Sequence, residues 1–309
     1  MEEEIIMTTE IRLDNRVAII TGAGAGLGRS HALLMAARGA KLVVNDLGGR
    51  VDGTGASQSA AGGVVWEIRA AGGEAVANYD TVATPEGAQS ILKTALDAYG
   101  TVDIVVNNAG IILYKRLLEH TPEDFAINLA VHLSGSYYLM TAAFLIMKEK
   151  HYGRFVFTSS SSGMRGSADG VAYGAAKAGV VGLANVIALA GAPYGVYSNV
   201  ILPNAYTRMT EHVIEERNRE KLSADFISPL VLYLCSEQCS LNHEMFAVGG
   251  GTVARTILAL APGWRADSKA EFTAETIHAH LAEIMDMANY SNPQTTQEET
   301  RLVVGRRRK

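Results

Sequence analysis

Ile19-Ile20-Thr21-Gly22-Ala23-Gly24-Ala25-Gly26-Leu27-Gly28 is an apolar run that feeds a glycine turn and then a helix. A parallel α/β sheet presents its backbone to a dinucleotide pyrophosphate in this order. The spacing G-x-G-x-x-G fails here, because starting at Gly22 puts Leu27 in the last position and starting at Gly24 puts Arg29 there. The pattern that fits is G-x-x-x-G-x-G, with Gly22, Gly26 and Gly28. Glycines allow a tight turn and a close backbone approach, and the N–H groups that open the following helix hold negative charge. Leu27 belongs to the same cofactor-binding turn. The competing reading is a glycine turn kept for packing.

Two further segments bear on that choice. Val171-Ala172-Tyr173-Gly174-Ala175-Ala176-Lys177 sets Tyr173 and Lys177 four apart at the start of an Ala-rich helical stretch, so both side chains emerge on one face. An ammonium held there can lower a phenol's pKa. Upstream, Phe155-Val156-Phe157-Thr158 reads as a buried strand that ends in Ser159-Ser160-Ser161-Ser162-Gly163. Its hydroxyls fall at a strand's carboxyl end, where open α/β sheets bind ligands, and one of them is suited to a substrate oxygen. A Tyr/Lys pair alone is often amphipathic surface cover. The three segments in this order argue for a site.

With Asn107-Asn108-Ala109-Gly110, these motifs resemble the short-chain dehydrogenase/reductase family over roughly residues 13 to 255. The resemblance implies a Rossmann-type, doubly wound parallel α/β sheet with helices on both faces, a nicotinamide cofactor and a secondary-alcohol substrate. In that family the catalytic serine lies 13 positions before the tyrosine and three before a glycine, and both rules point to Ser160 (173 − 13 and 163 − 3). Ser159 and Ser161 are the neighbours open to misassignment. Tyr173 is the expected general base, Lys177 its partner and a holder of the nicotinamide ribose, and Ser160 the donor to the substrate oxygen. The family usually carries an asparagine in a preceding helix that holds a water of the proton relay. Here Ala130-Val131-His132-Leu133-Ser134-Gly135 puts His132 in that place, either relaying protons or packing structurally. Pro203-Asn204 replaces a common Pro-Gly, and Thr207 is the expected contact to the nicotinamide carboxamide.

The strand-like run Lys41-Leu42-Val43-Val44 ends at Asn45-Asp46, where a carboxylate can accept from the adenosine ribose hydroxyls and repel a 2′-phosphate. No basic residue lies within Gly22–Gly28 and Leu47 follows the aspartate, so NAD is expected over NADP. Asp46 closing a strand is the plain alternative. Asp80 ends the next strand-like run and, by resemblance, reads the adenine amino group, with Thr81 beside it. Asn108, Ala109 and Gly110 should border the adenosine and ribose.

The chain has 309 residues, 48% hydrophobic and 19% charged, enough for a single large core. A formal net charge of −5 argues against a dedicated nucleic-acid binder. No continuous apolar run reaches the roughly 20 residues that span a bilayer, so no membrane partner is expected. The acidic start Met1-Glu2-Glu3-Glu4-Ile5-Ile6-Met7 lacks a signal peptide's order, Met7 is a candidate initiator, and a cytoplasmic location is the expectation. Only Cys235 and Cys239 are present, so no disulfide framework exists. With His243 they would line a helical stripe with metal-ligand spacing, but core packing is the preferred reading and no metal is expected.

Strand-like runs at Val17–Ile20, Lys41–Val44, Ala75–Tyr79, Asp103–Val106, Arg154–Phe157, Tyr197–Ile201 and Met245–Val248 alternate with helical segments at Arg29–Arg38, Ala60–Ala71, Glu86–Tyr99, Glu123–Lys148, Ala172–Leu189 and Ala224–Leu234. Gly48–Ser57 reads as an exposed glycine-rich loop. A dinucleotide-binding domain over 13–255 and a C-terminal helical extension with a basic tail over 256–309 are expected, Glu271–Met287 being one helix and Gly305–Lys309 a solvated tail.

Within the family, Val44-Asn45-Asp46-Leu47-Gly48-Gly49, Ala75–Asp80, Val131-His132-Leu133, Pro203-Asn204-Ala205, Arg208-Met209-Thr210 and Ser228–Leu232 look like the dehydrogenase unit of peroxisomal multifunctional enzymes of β-oxidation and its bacterial relatives. That likeness implies oxidation of (3R)-3-hydroxyacyl-CoA with NAD, some members also taking 17β-hydroxysteroids, and a homodimer or homotetramer built on the long helices. A free-standing bacterial-type enzyme is expected. Arg208, Arg217, Arg219 and Lys221 could meet CoA phosphates, although the interleaved Glu211, Glu215, Glu216 and Glu220 favour a solvated mixed-charge helix. Met209, Val213, Ile214 and Leu222 could line an apolar lid for a steroid.

Overall fold

The computed structural model describes residues 10–211 and 214–304. Met1–Met7, Val213 and the Gly305–Lys309 tail lie outside them. Two compact units, Met1–Arg255 and Thr256–Lys309, make up the chain.

In the first unit every residue of β1 (Val17–Thr21) is buried, the mark of a parallel strand covered on both faces. It pairs in parallel with β2 (Lys41–Asn45) on one side and with β4 (Ile104–Asn107) on the other. With β3 (Glu74–Asn78), β5 (Gly153–Thr158), β6 (Val196–Pro203), β7 (Met245–Gly249) and β8 (Thr252–Thr256) the sheet order is β3-β2-β1-β4-β5-β6-β7-β8. All pairings from β3 to β7 are parallel. The order reverses between β1 and β4, which opens a crevice at the carboxyl ends of these two strands.

Alternation along β1 divides the core. Ala18 and Ile20 pack with α1 (Gly26–Ala37), α2 (Ser59–Ala70) and the later helix Ser228–Cys235, through Met35, Ile68 and Val231. Val17 and Ile19 face the opposite way, toward α3 (Pro85–Tyr99) and the segments that follow it, through Ile91, Leu139 and Val180. Helix α3 shows how local chemistry sets such boundaries. Thr84 caps its first turn by accepting from Gly87 N, Pro85 opens it, and Gly100 ends it at φ +76.

The stretch expected as one helix over Glu123–Lys148 is α4 (Pro122–Asn128), a π-helical turn at Leu129–Ser134, and α5 (Gly135–Glu149). The wider turn interrupts the helix around His132, whose ring is buried. Then come α6 (Ser161–Arg165), α7 (Val171–Gly191) and α8 (Ser228–Cys235). Helix α8 ends at Cys235, so Cys235, Cys239 and His243 do not share a helical stripe, and both cysteines are free and buried.

Pro122–Glu149 (28 residues, mean hydropathy 1.4) and Val171–Tyr194 (24 residues, 1.6) are helical and apolar enough to cross a bilayer by length and composition. Both place apolar residues in the core against the sheet, among them Leu139, Met147, Val180 and Ile187, which accounts for their composition.

In the second unit, the single helix expected over Glu271–Met287 is two short ones, α9 (Ala274–Ala279) and α10 (Leu281–Ile284). They are separated at His280, whose ψ of 14° leaves helical geometry while its ring stacks 4.5 Å from Trp264. A third helix, α11 (Thr296–Val304), ends where Arg265 donates to the carbonyls of Val303 and Val304.

Candidate active site

The glycine turn sits at the carboxyl end of β1, and two backbone angles and one close contact explain its composition. Gly22 and Gly26 have φ of +64° and +53°, and a Cβ on Gly28 would lie 2.2 Å from the Gly22 carbonyl oxygen. Helix α1 begins at Gly26, after Ala25 as its N-cap, with no side-chain cap and no acidic residue in its first turn. Its leading N–H groups therefore lack side-chain acceptors, and Ala25, Gly26 and Leu27 line a cavity of about 390 Å³. Free donors at a helix start fit a pyrophosphate.

Asn108 lines the cavity beside this turn, and its Nδ2 reaches the carbonyls of Thr21 at 2.9 Å and Gly22 at 3.3 Å. Thr21 Oγ1 accepts from the N–H groups of Asn108 and Ala109, both at 3.0 Å. Asn108 thus braces the glycine turn by side chain and by main chain, while Ala109 and Gly110 form the wall next to it.

Asp46, at the end of β2, accepts from Gly24 N at 2.8 Å and from Gly48 N at 2.6 Å. One donor on each oxygen orients the carboxylate and leaves further lone pairs for hydroxyls. Asp80 is held by Asn78 and Ser90 through one oxygen, and Thr81 Oγ1 accepts from Ala83 N. Asp46, Asp80 and Thr81 all line the cavity. The residues present fit a dinucleotide.

At the other end of the cavity Ser160 caps α6, and Tyr173 and Lys177 rise from the first turns of α7. Burial pushes the Tyr173 phenol up to about 12, the hydrogen bond from Ser160 working the other way and the nearby Tyr114 adding to the rise. Burial pushes Lys177 down to about 7. Its Nζ donates to the Thr158 carbonyl at 2.6 Å and lies 5.6 Å from the Tyr173 ring centroid. The lowering of the phenol pKa expected from Lys177 is therefore not produced by these groups alone, because desolvation of a buried phenolate dominates.

The serines separate cleanly. Ser159 is buried and spends its hydroxyl on the Lys177 carbonyl at 2.7 Å. Ser161 opens α6 in an exposed position. Ser160 is the one of the three that reaches Tyr173.

His132 is brought to the same place. It is buried edge-on to Tyr173, ring centroids 5.2 Å apart at 86°. Burial and the charge of Lys177 hold it well below the ordinary histidine range, so it is a neutral ring. Thr207 lies against Gly26, where a Cβ would sit 3.6 Å from the threonine Cγ2, and its hydroxyl accepts from Met209 N.

Two groups of lining residues escaped the sequence reading. The loop Gly48–Ser57, expected to be merely exposed, contributes Gly49, Arg50, Val51 and Gly53 to the cavity wall. Ile111 and Ile112 line it as well, beside Met209, which the sequence offers as part of an apolar lid, with Tyr114 hydrogen-bonded to Met209 O. The dense glycines at 48, 53 and 55, all with positive φ, were the available signal for a loop that folds closely over something.

Among the four charged residues weighed as a phosphate handle, Arg217 pairs with Glu215 and Arg219 with Glu216. Arg208 lines the cavity and makes no ion pair among the described residues.

A family model described as short chain dehydrogenase matches residues 16–221. The chain is 44% identical over 299 residues to the mouse peroxisomal multifunctional enzyme type 2, covering 96% of this chain but 40% of that enzyme. It is 37% identical to a hydroxyacyl-CoA dehydrogenase of Mycobacterium tuberculosis, over 80% of this chain and 81% of the relative. The structure of the full-length peroxisomal multifunctional enzyme type 2 from Drosophila melanogaster superimposes with a TM-score of 0.80 at 35% identity, over 96% of this chain and 50% of the other. This chain thus spans less than half the length of the mouse enzyme it matches.

Proposed function

The chain belongs to the short-chain dehydrogenase family, and on that premise we propose that it oxidises (3R)-3-hydroxyacyl-CoA to 3-oxoacyl-CoA with NAD. The observation that carries the chemistry is the meeting of Ser160, Tyr173 and Lys177 in one cavity with an uncapped helix start and an oriented carboxylate. Bound NAD supplies the hydride acceptor. The chain's own residues manage the proton. Ser160 donates to the carbinol oxygen, and Tyr173 Oη takes the hydroxyl proton as the carbonyl forms. A phenol near 12 is protonated at neutral pH, so by themselves these groups prepare Tyr173 as the proton donor of the reverse reaction. Oxidation draws on added positive charge beside the phenol, which an oxidised nicotinamide ring brings.

NAD rather than NADP is supported by Asp46, whose carboxylate lines the cavity and would repel a 2′-phosphate. An acyl-CoA substrate is supported by the hydroxyacyl-CoA dehydrogenase among the relatives and by Arg208, which lines the cavity. The second reading, a 17β-hydroxysteroid, keeps the same catalytic residues and draws on Met209, Ile214 and Leu222 as apolar cover. We also propose that copies of the chain pair through α5 and α7, which expose Tyr137, Leu145, Val186 and Leu189; light scattering that shows only monomer overturns this.

The deciding assay follows NADH absorbance with (3R)- and (3S)-3-hydroxyacyl-CoA and a 17β-hydroxysteroid in parallel. Turnover confined to the (3R) thioester supports the proposal. Turnover confined to the steroid replaces the substrate and leaves the roles of Ser160, Tyr173 and Lys177 standing.

A further inference from the structure

Contacts from three directions converge on the short run Ile111–Tyr114, which leaves the carboxyl end of β4. From beneath, His132 Nε2 lies 2.8 Å from the Ile111 carbonyl oxygen and 3.2 Å from Ile111 N. Taking the shorter contact as the one that carries the proton puts it on Nε2, so that the ring donates to the carbonyl; the other tautomer would accept from Ile111 N and hold the same segment. From above, Ile112 N donates to Val51 O at 2.9 Å. Gly53 packs on the Ile111 side chain, where a Cβ would meet it at 3.2 Å. At the far end the Tyr114 hydroxyl donates to the Met209 carbonyl. The run is thus a bracket that ties the loop after β2 to one end of the cavity and the loop after β6 to the other.

We propose that His132 is a positioning residue, which fixes this bracket and thereby closes both the dinucleotide half and the substrate half of the cavity. The proposal rests on reading the cavity as a dehydrogenase active site. A neutral imidazole has one proton, and here a main-chain carbonyl holds it. The opposite nitrogen, Nδ1, is buried without a hydrogen-bond partner among the described residues, and protonating it would create a second buried cation close to Lys177. The ring is also packed flush on the segment it holds, since a Cβ on Gly110 would lie 2.5 Å from His132 Cε1. This arrangement fixes backbone and has no free proton to pass on.

The test compares His132→Leu, which removes the donor, with His132→Gln, whose amide N–H can replace Nε2–H. NAD affinity is read by calorimetry, independently of turnover, and KM, kcat and their pH profiles are read with the hydroxyacyl-CoA. We expect His132→Leu to raise the NAD Kd and the substrate KM by about three- to tenfold each, the range of one neutral hydrogen bond. The pH profile of kcat should keep its shape, and His132→Gln should recover most of both losses. Tyr114→Phe cuts the substrate-side tie, and with it the small push that the Tyr114 hydroxyl gives the Tyr173 phenol, and should raise KM without moving the NAD Kd. In the double variant His132→Leu/Tyr114→Phe the rise in KM should fall short of the product of the two single effects, because both act through one bracket.

An unchanged Kd and KM with a lowered kcat and a lost limb in the pH profile would make His132 a proton carrier and overturn the proposal. Equal losses in the Leu and Gln variants overturn it too, since ring volume would then be what matters. Should His132→Leu not fold, a Tyr114→Phe enzyme with wild-type KM overturns the bracket, and a raised KM supports it. If the wild-type chain does not turn over hydroxyacyl-CoA, the proposed substrate fails, while the NAD Kd of the His132 variants still decides this inference.

Discussion

Ser159 Oγ donates to the main-chain carbonyl of Lys177 at 2.7 Å, which ties the end of β5 to α7 and takes that hydroxyl out of the chemistry. Its neighbour Ser160 faces Tyr173 instead. Ser160→Ala should lower kcat on the order of 10²-fold, with about 1 kcal/mol of stability lost because the side chain also caps α6. Ser159→Ala should cost about 1 kcal/mol of stability, measured by urea unfolding, with a much smaller change in kcat. A reversed pattern would reassign the serine.

Tyr173 lines the cavity on the β5 side, away from Asp46 at the end of β2 and the glycine turn after β1. Tyr173→Phe should therefore abolish NADH production while leaving the NAD Kd, by fluorescence titration, within about threefold of wild type. Loss of both would point to a structural role for the phenol.

Asp46 accepts from both Gly24 N and Gly48 N, so it shapes the glycine turn as well as its charge environment. Asp46→Ala should weaken NAD binding about tenfold and bring the NAD and NADP dissociation constants closer together. A variant that weakens both equally would remove the carboxylate from cofactor selection.

Burial pushes His31 down to about 3 from the ordinary 6.5. Below 6.5 the unfolded chain binds a proton that the folded chain refuses, so stability falls as pH drops through that range, by up to about 1.4 kcal/mol per pH unit. His132 is shifted in the same direction and adds to the slope. Urea midpoints between pH 6.5 and 4.5 should decline more gently in His31→Gln than in the wild type, and parallel declines would show that His31 does not titrate on unfolding.

Arg208 lines the cavity, whereas Arg217 and Arg219 are paired on the same loop. Arg208→Ala should raise KM about tenfold for a 3-hydroxyacyl-CoA and leave KM unchanged for the matching N-acetylcysteamine thioester, which lacks phosphates. An equal rise for both thioesters rules out phosphate recognition by this residue.

The sequence by itself determined the parallel sheet, the glycine turn after β1 and the pairing of Tyr173 with Lys177. These are local facts: burial on both faces writes itself as an apolar run, and a four-residue spacing fixes one helix face. The family spacing pointed to Ser160, but only the tertiary structure showed why Ser159 is unavailable, because its partner is a carbonyl on another element. Only it showed the π turn that brings His132 under Ile111 and the Gly48–Ser57 loop that walls the cavity, since both depend on hydrogen bonds between segments far apart in the chain. The pKa order was equally illegible. Spacing announces that an ammonium and a phenol are neighbours, but burial, which no spacing reports, drives Tyr173 up and Lys177 down.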